Sequence, residues 1–125
     1  MDDFDALWRS SVRFRRASRE LQTLLRGVHD AFGSDDDAQL RAALERLLVF
    51  LASSEGRTDA NCATTYYFMT AAEPRWRAAR AELRAIFDDM SGTLQDSVYA
   101  PDIARTFEAT PEQLLARLRA VTTSS

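Results

Sequence analysis

Residues 34–56 read SDDDAQLRAALERLLVFLASSEG, and this stretch decides the fold class. Leu40, Ala43, Leu44, Leu47, Leu48 and Leu51 recur at steps of three and four residues, which lines one face of an α-helix. Ser34 and the run Asp35-Asp36-Asp37 precede them. Serine caps helices, and carboxylates in a first turn meet the positive end of the helix dipole. Ser53-Ser54-Glu55-Gly56 supplies the stop.

Working outward, residues 3–32 carry a longer version of the same pattern. Leu7, Phe14, Leu21 and Val28 repeat every seven residues, and Ala17, Leu24 and Ala31 follow the last three of them. Leu25 and Phe32 widen the stripe, as expected of a bundle helix facing a core. Gly33 is the expected stop, because glycine tolerates the left-handed backbone that ends many helices. The short connection to the next helix predicts antiparallel packing.

On the other side, Thr58 and Asp59 are capable caps for a third helix running to about Ala72. Tyr66, Tyr67, Phe68 and Met69 are consecutive, so the helix is apolar around most of its circumference and belongs at the centre of the bundle or at an interface. Thr and Tyr also favour strands, but the flanking alanines and the want of a partner strand favour helix. Pro74 breaks or starts an element. A fourth helix is expected over about 75–91, with Trp76, Ala79, Leu83, Ile86, Phe87 and Met90 at helical spacing. Gly92 caps it, or Leu94 and Val98 carry it towards Ala100 before Pro101 intervenes. A short helix over 102–107 would set Ile103 and Phe107 on one side.

Thr110-Pro111-Glu112-Gln113 is the clearest local signal: a capping threonine, a proline at the first helical position, and an amide where a capping box needs one. Leu114, Leu115, Leu118 and Val121 then form a buried face, and residues 122–125 should fray. The chain is therefore expected to be all-α, a single-domain helical bundle over 1–125 with four to six mostly antiparallel helices and short loops.

Composition narrows the function classes. The 125 residues are 46% hydrophobic with four Gly and three Pro, which argues against disorder and many-stranded β folds. No run of about 18 apolar residues exists, so no membrane span is expected. The start, MDDFDALWRSS, lacks the apolar region of a secretion signal, and a cytoplasmic location is expected. All 16 basic residues are arginine, which reads as the codon bias of a GC-rich bacterial genome. A net charge of −3 disfavours nucleic acid as a partner.

One Cys and one His make a structural zinc site improbable, and no glycine-rich phosphate loop, HExxH, EF-hand loop or CxxC is present. No metal or cofactor is expected. Asp35-Asp36-Asp37 reads as helix-start acids rather than a cation site. His29 reads as a boundary histidine near a helix C-terminus, favourable to the dipole when charged. Cys62 reads as a small core hydrophobe. An enzyme would have to draw on His29, Asp59, Asp96 and the tyrosines, and a non-enzymatic protein is the expectation.

Two features bear on binding. On the first helix, Trp8 and Val12 fall opposite the apolar stripe, among Arg9, Arg15, Arg16 and Arg19. Tryptophan beside arginine is the composition that interface hot spots favour. Trp8, Arg9, Val12, Arg16 and Arg19 are thus candidate partner-binding residues, for a protein partner or a second copy in a homodimer, with Tyr67 or Phe68 as secondary candidates. The bland alternative tucks Trp8 over a neighbouring helix.

Tyr66, Tyr67, Trp76 and Tyr99 are candidates to line a ligand pocket between helices, with phenol hydroxyls orienting the guest. Their bland reading is core filling. Arg77, Arg80 and Arg84 form a further stripe, but residues 74–92 carry four Arg against three acids, so pairing within the chain is expected. The leading expectation is a protein–protein interaction or self-association module. A small-ligand carrier or sensor is the second reading, and an immunity- or antitoxin-like acidic binding protein the third.

Overall fold

The computed structural model describes residues 17–34, 36–99 and 109–121, the last four residues of the middle span as backbone only. Six helices are present among the described residues, and no strand. They are α1 (Arg19–Ser34), α2 (Asp37–Ala52), α3 (Asp59–Ala71), the single turn α4 (Glu73–Trp76), α5 (Ala81–Tyr99) and α6 (Pro111–Ala120). The all-α expectation holds.

Local chemistry sets most of the boundaries. Asp36, rather than Ser34, caps α2, its carboxylate accepting the N–H groups of Ala38 and Gln39 at 3.0 and 3.3 Å. Thr58 caps α3 by accepting the N–H of Asn61. At α6 the full capping box forms, with the Thr110 hydroxyl on the Gln113 N–H and the Gln113 side chain on the Thr110 N–H. Two further expectations are corrected. Gly33 does not stop α1, which runs on to Ser34, whose hydroxyl donates to the Ala31 carbonyl at 2.8 Å and so satisfies a terminal acceptor.

The expected helix over 75–91 is likewise two elements. Pro74 stands in the first turn of α4, the chain leaves helical geometry over 77–80, and α5 begins at Ala81. This break seats Trp76 in the core, its Nε1–H donating to the Met69 carbonyl at 2.9 Å and its ring stacked on Phe87 at 5.8 Å. Gly92 does not cap α5, which passes through it to Tyr99. The expected helix over 102–107, and the fraying of 122–125, fall outside the described residues.

The principal helix contacts close a ring: α1 on α2, α2 on α6, α6 on α5, α5 on α3, and α3 back on α1. Directions follow from residue pairs. Glu20 and Leu24 at the start of α1 share a groove with Val49 and Phe50 at the end of α2, while Ala31 and Phe32 share another with Asp37 and Leu40. The two helices are therefore antiparallel. Arg57 with Glu112 and Glu45 with Arg119 make α2 and α6 antiparallel. Asp89 with Arg117, and Ile86 beside Val121, do the same for α5 and α6.

A ring of five helices cannot alternate direction throughout, so one adjacent pair must run the same way. That pair is α1 and α3: Ser18, just before α1, meets Asn61 in the first turn of α3, and His29 near the end of α1 meets Arg75 of α4, the turn that follows α3. The core inside the ring holds Leu21, Leu25 and Val28 of α1, Leu44, Leu47 and Leu51 of α2, and Phe68 and Met69 of α3. Leu83, Phe87, Met90 and Leu94 of α5 and Leu114 and Leu118 of α6 complete it. Phe87 is its aromatic centre, stacked by Trp76 and met by Phe32 with ring centroids 5.8 Å apart in each case.

Candidate interaction surface

Among the described residues, the helix stripes that fill the core leave one large apolar side chain, Val49, pointing out. Val49 follows Leu48 on α2, so it falls on the outer face with Glu45 and Arg46, and 48% of it is exposed. Partly buried Leu24 of α1 and buried Phe50 of α2 adjoin it, and together they floor a groove where the start of α1, the end of α2 and the end of α6 converge. Glu20, Glu45, Arg46 and Arg119 form its rim. Glu45 and Arg119 bond each other across it, Oε1 to Nε, at 2.8 Å. Neither Glu20 nor Arg46 forms an ion pair with another described residue. An apolar floor inside a charged rim is the layout of a protein–protein contact patch.

Of the partner-binding candidates read from sequence, Arg19 is exposed at the first position of α1, next to Glu20 of the groove rim. Trp8, Arg9, Val12 and Arg16 lie outside the described residues. Val49 was not among the sequence candidates. Its signal is nonetheless present, since a β-branched apolar residue three and four positions after Arg46 and Glu45 sits on a polar face.

The aromatic candidates separate. Trp76 is 4% exposed and has its one donor committed to Met69. The Arg77 guanidinium covers its ring from outside at 5.0 Å. Tyr66 and Tyr67 pack edge to face on each other, centroids 5.4 Å apart, and are half-buried against the core. The side chain of Tyr99 lies outside the described residues.

The remaining reactive groups are engaged. Arg75 donates to His29 Nε2 at 3.0 Å, so that nitrogen must carry a lone pair, because a guanidinium is a donor only. Cys62 is fully buried, and burial pushes its thiol up to about 12, the Asp59 carboxylate adding to this and the Arg57 guanidinium opposing it. Two of the three stripe arginines pair within the chain: Arg77 with Glu73 at 2.8 Å, and Arg80 with Glu82 at 3.5 Å and Asp37 at 4.0 Å, whereas Arg84 forms no ion pair with another described residue. Exposed pairs of this kind contribute about 0–1 kcal/mol each.

Asn61, in the first turn of α3, ties two segments distant in sequence. Only 3% exposed, it accepts the Ser18 N–H through Oδ1 at 3.1 Å and donates from Nδ2 to the Gly56 carbonyl at 2.9 Å. A composition of caps carries no hint of a contact reaching back to the start of α1. No helix among the described residues is long and apolar enough to cross a membrane. No protein-family model, curated protein or solved structure matches the chain.

Proposed function

We propose that the chain is a non-enzymatic helical module that acts by protein–protein contact, working in the cytoplasm. The groove around Val49 carries this reading, because covering the 48% exposed Val49 together with the adjoining Leu24 and Phe50 would remove apolar surface from water, which favours association. The sequence adds support through Trp8 and its neighbouring arginines, Arg19 among them, on the same helix-forming stretch that supplies Glu20 and Leu24. The groups best suited to acid–base or nucleophilic chemistry, His29 and Cys62, are held by Arg75 and by burial respectively. A single buried cysteine suits a reducing compartment.

The test compares wild type with Trp8→Ala and Val49→Asp in light scattering coupled to size exclusion and in pull-downs. At least one variant should weaken association by about 2 kcal/mol or more, the threshold for a hot spot. Association constants and pull-down profiles unchanged in both variants would overturn the reading.

A further inference from the structure

We infer that the occupant of the Val49 groove is a second copy of this chain, docked α2 against α2 about a two-fold axis close to Val49; this rests on the interaction-module reading and specifies its partner. In a two-fold contact a patch meets itself, so every charge on it must find its opposite within the same patch. The groove meets that condition. Glu45 and Arg119 already satisfy each other, which leaves one acid, Glu20, and one base, Arg46, on the rim.

Their placement matters as much as their number. An axis at position 49 sets residue 46 of one copy opposite residue 52 of the other. That is the last turn of α2, beside which the antiparallel hairpin places the first turn of α1 and hence Glu20. Arg46 of each copy therefore faces Glu20 of the other, twice over, around a centre where Val49 packs on Val49. A uniformly acidic or basic partner would leave one of the two rim charges against its like, which costs binding energy. The net charge of −3 on each copy opposes association only over distances that salt screens within about 8 Å at physiological ionic strength.

Sedimentation equilibrium over a concentration series tests this with wild type, V49D, R46E, E20R and the double variant E20R/R46E, each checked for folding by circular dichroism and melting. Wild type should dimerise. V49D should weaken the dimer by about thirtyfold or more, and each single charge reversal by about three- to tenfold. E20R/R46E, which swaps the two signs, should recover most of the loss. A wild-type dimer that is indifferent to V49D, or single reversals that the double variant does not rescue, would overturn the two-fold pairing. A wild type that stays monomeric while V49D or W8A abolishes binding to another protein would overturn self-docking and leave the module reading intact. A monomer whose pull-down profile neither variant alters would overturn both.

Discussion

The side-chain carbonyl of Asn61 accepts the backbone N–H of Ser18 at 3.1 Å, across 43 residues of chain. The contact sits at the start of α1 and α3, the one pair that runs parallel in the ring and the one whose direct packing is among the sparsest. At the far end of α1, His29 accepts from Arg75 of α4, the turn that follows α3, at 3.0 Å. Two polar contacts thus pin the helices where apolar contact contributes least.

Asn61→Ala removes the partner of the Ser18 N–H and one of two donors to the Gly56 carbonyl, which keeps the Thr58 N–H. Losing a part-buried hydrogen bond of this kind costs about 0.5–1.5 kcal/mol. Urea denaturation should show a loss of that size. Asn61→Asp should do no better, since it keeps the acceptor, loses the donor and buries a carboxylate. A midpoint unmoved in Asn61→Ala would mean that water replaces the amide at no cost.

The His29 contact fixes a tautomer. Because Nε2 accepts from Arg75, the ring proton of the neutral form sits on Nδ1, which lies 3.7 Å from Oδ1 of Asp30. Ring nitrogen shifts in a long-range nitrogen–proton NMR spectrum should show the protonated nitrogen to be Nδ1. In Arg75→Ala the populations should move towards the Nε2–H form. Observation of the Nε2–H form in wild type contradicts the contact.

Two glycines predict opposite signs. A Cβ at Gly56 would stand 1.9 Å from the Phe50 carbonyl oxygen, backbone that cannot yield. Gly56→Ala should therefore destabilise by about 2–3 kcal/mol or more. At Gly92, inside α5 and exposed, an added methyl meets nothing within 4 Å. Gly92→Ala should stabilise by about 0.5–1 kcal/mol through the entropy of the unfolded chain. Thermal melts of the two variants should move in opposite directions from wild type.

Cys62 links stability to alkaline pH. Its thiol rises from an ordinary 9.0 to about 12 on folding, chiefly through burial. Below the unfolded value both states hold the proton and the preference costs nothing. Between about 9 and 12 the unfolded chain has released the proton and the folded one has not, so stability falls as pH rises, by about 1.4 kcal/mol per pH unit for one group. Subtracting the alkaline stability profile of Cys62→Ala from that of wild type should isolate this slope. At neutral pH the thiol should resist alkylation until the chain unfolds, and rapid labelling of native protein would contradict the burial.

Sequence alone determined the helices that end in a chemical signal. The Thr58 and Thr110 caps, the leucine stripe of α2 and the face Leu114, Leu115 and Leu118 of α6 are local, because capping and 3.6-residue periodicity act within a few residues. Only the tertiary structure decided that the chain breaks after Trp76. The heptad-like spacing from Trp76 through Ala79 to Leu83 suits an unbroken helix equally well, and the indole's bond to Met69 and stack on Phe87 settle the choice. The parallel α1–α3 pair, the 43-residue reach of Asn61 and the meeting of Glu20, Arg46 and Val49 at one groove are likewise products of ring closure. Each depends on which helices become neighbours, and that follows from the fit of whole faces rather than from any window of sequence.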